Sequence, residues 1–152
     1  MIPTLAGFIA WLYPAMGVTT AQLPTNSPFI GYAYNVAITL VNPYLQQVPT
    51  PAPNQGLIYM LAVYNLGASN LLNWCPDTPP STFFADARKG YGINSFVAGV
   101  VTASSDEGTS NSLTTPEWAS NLTIANLQQL KDPFGRQYLA FAADYGSLWG
   151  IS

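Results

Sequence analysis

Few residues in this chain of 152 could do chemistry, and their spacing narrows what that chemistry would be. Histidine is absent, which removes Ser-His and Cys-His nucleophile pairs and imidazole metal ligation together. Asp106 and Glu107 are the only adjacent acids. Neighbours along a chain point apart, and the Ser- and Gly-rich surroundings would hydrate both carboxylates, so neither pKa need move toward general acid–base work. The alternating Asp-x-Asp-x-Asp spacing of a calcium loop is missing as well. Cys75 stands alone between Trp74 and Pro76. With no base to activate it and no second cysteine to pair with, it reads as a small buried hydrophobe. Gly90-Tyr91-Gly92 lacks the rest of a phosphate-binding loop and reads as a turn. Asn121-Leu122-Thr123 matches the glycosylation acceptor, a tripeptide frequent by chance. The expectation is no catalytic residue, no metal and no cofactor. A carboxylate-dependent enzyme remains as an alternative, and it would need Asp106 or Glu107 to line a pocket with another charged group.

The scarcity extends to charge in general. Charged residues are 7% of the chain, against roughly 25% in ordinary soluble domains. Asp77 is the first ionisable side chain other than tyrosines and Cys75, and all four basic residues (Arg88, Lys89, Lys131 and Arg136) follow it. Asn, Gln, Ser, Thr, Pro and Gly, mixed with Tyr and Trp, must therefore cover the surface. Such groups are cheap to desolvate because no ion is stripped of water. Protein interfaces share this bias, being poor in Lys, Glu and Asp and rich in aromatics. Four cations and a net charge of −3 cannot build a phosphate-tracking groove, so specific nucleic-acid binding is not expected.

A neutral first half also raises the possibility of a small membrane-associated protein with one span near 56–74. That stretch, GLIYMLAVYNLGASNLLNW, carries no charge and has about the length of a span. Asn65, Ser69, Asn70 and Asn73 argue against it, since amides are costly in hydrocarbon and no Lys or Arg anchors flank them. Asn65, Ser69 and Asn73 are four apart, one stripe on a helix, expected to face water or a neighbouring subunit. MIPTLAGFIAWLYPAMG lacks a positive n-region and is a poor signal peptide.

The elements that must position these residues are mostly helical. Thr4 is expected to cap a short helix carrying Leu5, Phe8, Ile9 and Leu12, which Pro14 stops. Ser27-Pro28 signals the next, with Phe29, Ile30, Ala33, Tyr34, Ala37, Ile38 and Val41 on one face until Asn42-Pro43. Val48–Asn54 is a stiff linker, Asn54 a cap, and Gln55 to about Asn73 the central buried helix. Tyr32, Tyr34, Tyr59 and Tyr64 are assigned to the core. Ser81 or Thr82 opens TFFADARKG, which Gly90 closes. Phe96–Thr102 reads as a strand, and residues 103–112 as a polar loop or hairpin tip. Thr115-Pro116 or Thr123 starts a helix reaching Leu130. Asp132-Pro133 starts the last one, with Phe134, Tyr138, Leu139 and Phe141 inward and Gly146 at its end. The sum is a mainly α, single-domain bundle of five to six helices with a minor β element or hairpin, in which residues 1–76 form an uncharged helical core.

The order of these pieces resembles the head–tail adaptor (head-completion connector) proteins of tailed bacteriophages. The likeness rests on the short helix ending in aromatic-Pro (Phe8 to Pro14), then FIGYAYNVAITLVN, then the central LIYMLAVYNLGASNLL. It continues with GVVTASSDEGTSNSL and DPFGRQYLAFAADYGSLWG. The latter two are similar to the family's mobile middle loop and to its Tyr-Gly-Arg-x-Tyr-Leu helix with an aromatic tail. Phe134, Gly135, Arg136, Tyr138 and Leu139 stand at the positions of that motif. Members usually carry more charge on the first two helices, and the proline-rich linker is unusual.

The resemblance implies a virion structural protein: a ring of identical subunits, commonly twelve, between the portal protein and the stopper or tail proteins. Genomic DNA would pass through the ring without specific binding. The site would be the virion neck, reached from the host cytoplasm during assembly, with no membrane. The expected interface residues are Asp106, Glu107, Trp118, Arg136 and Trp149. Trp is favoured as an interface anchor, the Asp106 loop is poised to order on a neighbour, and Arg136 is expected at a subunit contact or paired with Asp132.

Overall fold

Helical periodicity is realised as six α-helices among the described residues of the computed structural model, which describes 1–95, 103–106, 109–112 and 123–145. They are α1 (Leu5–Met16), α2 (Pro28–Leu40), α3 (Leu57–Trp74), α4 (Phe83–Gly90), α5 (Ile124–Gln129) and α6 (Pro133–Tyr145). A 3-10 helix over Pro43–Gln47 follows α2. Strands β1 (Ala103–Asp106) and β2 (Thr109–Ser112) form an antiparallel hairpin with Ala103 opposite Ser112 and Asp106 opposite Thr109. The mainly α bundle with a small β hairpin is therefore what the chain adopts. The proposed strand at 96–102, a start at Thr115-Pro116 and a stop at Gly146 lie outside the described residues.

The central element is α3, packed against α1, α2, α4, α6 and the 3-10 helix. Its residues Ala62 to Ser69 are all buried, as an apolar surface extending round the helix requires. The start of α3 differs from expectation: Gly56, not Asn54, is the N-cap, at φ 79. That left-handed conformation favours glycine, and a Cβ at Gly56 would also collide with the Met1 carbonyl. Farther along, a Cβ at Gly67 would sit 2.9 Å from Phe8 Cζ, so glycine is what lets the fully buried Phe8 ring lie against α3. Phe8 also meets Tyr34 and Tyr64 with ring centroids 5.8 and 5.6 Å apart, and Trp11 meets Tyr64 at 5.7 Å. These tilted pairs add about 0.5–1.5 kcal/mol each beyond burial.

The first two helices carry three corrections. Thr4 caps α1 as expected, its hydroxyl accepting from Gly7 N at 3.0 Å. Pro14 does not stop it, however: α1 runs to Met16 and closes at Gly17, φ 70. Proline near the end forfeits one bond, to Ala10, and both residues are exposed, so water can reach the orphaned carbonyl. On α2, Ser27 makes no side-chain cap, and Pro28 at the first position begins the helix. Ile30, Ala33, Tyr34, Ala37 and Val41 are buried, with Phe29 and Ile38 packed at the margin. Tyr34, Tyr59 and Tyr64 are core residues as assigned, but Tyr32 is 61% exposed. It lies two residues from Tyr34, which puts it on the opposite side of the turn.

Candidate functional site

The polar stripe of α3 turns out to be an internal seam. Ser69 Oγ donates to Asp132 Oδ2 at 2.7 Å, and Asp132 is completely buried. The second carboxylate oxygen accepts from Gly135 N at 2.7 Å, so the same side chain caps the start of α6. Asn73 Nδ2 donates to the Ser69 carbonyl at 2.8 Å, while Asn73 Oδ1 accepts from Gln128 Nε2 at 3.0 Å. Asn65 returns its amide to the Leu61 carbonyl at 2.8 Å. The expectation that this stripe meets water or another subunit is thus corrected: Asn65 bonds within α3, Ser69 meets Asp132 just before α6, and Asn73 meets Gln128 of α5, all in the same chain. Burial pushes the Asp132 carboxyl above its ordinary value, against the donors from Gly135, Ser69 and Phe134 and the Arg136 charge.

A second polar group holds the corner between α3 and α4. Both oxygens of Asp77 accept from the start of α4, from Phe84 N at 2.7 Å and Ala85 N at 2.8 Å. Thr82 is the residue at the N-cap but makes no side-chain cap there. Arg88 Nη1 donates to the carbonyls of Leu72 (3.1 Å) and Cys75 (2.8 Å) at the end of α3, and Nη2 is 3.9 Å from Asp77. One arginine and one aspartate therefore complete the end of one helix and the start of the next. Cys75 lies buried beneath them, as the small-hydrophobe reading requires. Burial raises its thiol to about 11, with Arg88 lowering and Asp77 raising it. The thiol is protonated at neutral pH and is a poor nucleophile.

Of the five expected interface residues, Arg136 is the one whose side chain is described. Arg136 is exposed on α6, and its guanidinium donates to the carbonyls of Leu130 (3.2 Å) and Lys131 (3.3 Å). No ion pair joins it to Asp132; among the described residues the ion pair is Arg88–Asp77. Asp106 ends β1, opposite Thr109. Glu107, Trp118 and Trp149 lie outside the described residues. No group of three or more His, Cys, Asp or Glu among the described residues is placed to hold a metal ion. No helix among them is long and apolar enough to cross a membrane.

Two surface features went unnoticed in the sequence. The first is the outer face of α2, where Tyr32 (61% exposed) and Leu40 (62%) continue into Tyr44 (60%) of the 3-10 helix. Phe29 packs edge-on against Tyr32, with ring centroids 6.4 Å apart. The four-residue steps 32, 36 and 40 trace a second apolar stripe on α2 beside the face assigned to the core. The second feature is an open groove of about 890 Å³ between the end of α1, α4 and the start of α6. Met16, Phe83, Tyr91 and Phe134 line it, together with Gln22 and Asp86. Chain separation hides this one, since its walls come from three distant stretches.

No protein-family model matches the chain, and neither a curated protein nor a solved structure shows significant similarity to it.

Proposed function

We propose that this chain is a structural subunit of a tailed-bacteriophage virion, a head–tail adaptor that joins copies of itself into a ring. The ring lies in the neck between the portal and the stopper or tail proteins and surrounds the channel for genomic DNA, after assembly in the host cytoplasm. The observation that carries the reading is the outer face of α2: Tyr32, Leu40 and Tyr44 stand in water on a half of the chain with no ionised side chain. Covering such groups removes apolar area from water at about 25 cal/mol per Å² without desolvating an ion. In a head-to-tail ring this face meets a different face of the next copy, and rotation closes the circle. The helix order and the DPFGRQYLAF segment support the same assignment. Few cations suit a wall that DNA slides past.

Sedimentation and electron microscopy of the purified full chain test it. Rings are expected as concentration rises, and the double variant Tyr32→Glu, Leu40→Glu is expected to remain a folded monomer. A chain that stays monomeric up to its solubility limit overturns the reading. So do rings that form equally well with both glutamates in place.

A further inference from the structure

The groove between α1, α4 and α6 has a composition that selects its occupant. Its walls carry Met16, Phe83, Tyr91 and Phe134, and the charged side chain on them is Asp86. No lysine or arginine lines it. Asp86 is exposed in the first turn of α4, and Thr82 Oγ1 donates to its Oδ2 at 2.7 Å. A neutral hydroxyl brings no counter-ion to this carboxylate, in contrast to Asp77, which has Arg88 and two helix N–H groups. Among the described residues no ion pair uses Asp86.

Volume and shape point the same way. About 890 Å³ is room for several side chains at once, and the groove is open to solvent, so a chain segment can enter it. Aromatic walls around a carboxylate favour a cation set among apolar groups, through the ring faces as well as the charge. We propose that the groove binds a segment of a partner protein in which apolar side chains flank a single Lys or Arg, whose cation pairs with Asp86. The segment's apolar side chains lie along Met16, Phe83 and Phe134, and the amide N–H groups of Gln22, whose Oε1 accepts from Thr19, offer a polar contact. This binding is independent of the ring, since it uses neither Tyr32 nor Leu40.

A displayed library of random peptides, selected on the immobilised full chain and in parallel on Asp86→Asn, tests the proposal. Peptides won by the parent chain are expected to carry apolar residues around one Lys or Arg. Titrated in solution, the best of them should lose at least about tenfold in affinity on Asp86→Asn, and as much when its cation is replaced by glutamine. Added salt should weaken binding to the parent more than to Asp86→Asn. Ala21 is exposed and lines the groove, so Ala21→Trp should block the peptide while leaving circular dichroism and melting unchanged. The proposal is overturned if no peptide is enriched over bare support, if the winners lack a cation, or if affinity is indifferent to both variants.

Discussion

The two halves of the chain solve the problem of holding helices together by different means. From α1 to α3 there is no ionised side chain, and order comes from packing: Phe8 against Gly67, Tyr34 and Tyr64, with the long α3 buried nearly all round. From Asp77 onward α4 and α5 are shorter than any of the first three helices, and most of the ionised side chains seen there are fastened to main-chain groups. Asp77 takes two N–H groups of α4, Asp132 takes one of α6, and Arg88, Lys131 and Arg136 each donate to carbonyls. Helices of six or eight residues, such as α5 and α4, are marginal alone because the unpaired end groups outnumber the internal bonds. The lesson is that the scarce charge goes to main-chain groups, mostly at helix ends, with Arg88–Asp77 the one ion pair between side chains among the described residues.

Removing a packing group should therefore cost more than removing a cap. Phe8→Ala empties a completely buried ring site and is expected to destabilise by about 3–5 kcal/mol, read by denaturant unfolding. Asp77→Ala frees two N–H groups of α4 and leaves Arg88 without its carboxylate. About 1–2 kcal/mol is expected, with loss of helix near α4. If Asp77→Ala proved as costly as Phe8→Ala, the contrast between the halves would collapse.

Asp132 sharpens the contrast, because it is a charge bearer in a packed seam. Its folded pKa lies above the unfolded one, so its favourable contribution is complete below the unfolded value and is lost as pH rises through the folded one. Asparagine keeps an acceptor for Gly135 and can donate to Ser69 without being ionised. The melting temperature of Asp132→Asn relative to the parent should therefore rise across that acidic window and then level off. A difference independent of pH would show that the carboxyl is not held above its ordinary range. The smallest effect is expected at Arg136, an exposed side chain on two carbonyls. Arg136→Ala should change folding stability by less than about 0.5 kcal/mol, and a larger loss would place Arg136 among the essential caps.

Much of this architecture was legible locally. Thr4 caps α1 as expected, and Thr123, one of two starts the sequence offers for the helix reaching Leu130, caps α5 through a reciprocal pair with Asn126. The apolar spacing of α2 and α3 gave their buried faces. What escaped was set by partners far along the chain. Local spacing sends Ser69 to water or a neighbouring subunit because Asp132, its acceptor, is 63 residues away. Asp77 gave no capping signal because it reaches α4 from seven residues before Phe84, beyond the usual cap spacing. The apolar neighbours of Tyr32 suggest a core place for it, although its angular position, two residues from Tyr34, sets it on the opposite side of the turn. For the candidate site, composition supplied the interface-like surface, but neither the α2 face nor the groove was located.

The seam between Ser69 and Asp132 also bears on synthesis. A ribosome delivers Asn65, Ser69 and Asn73 well before Gln128 and Asp132, so for an interval α3 has nothing from α5 or α6 to cover it. Water can serve a hydroxyl and two carboxamides during that wait, whereas leucines at the same positions would present a sticky open face to other nascent chains. The polar stripe that forms a seam in the finished core thus shields the unfinished one.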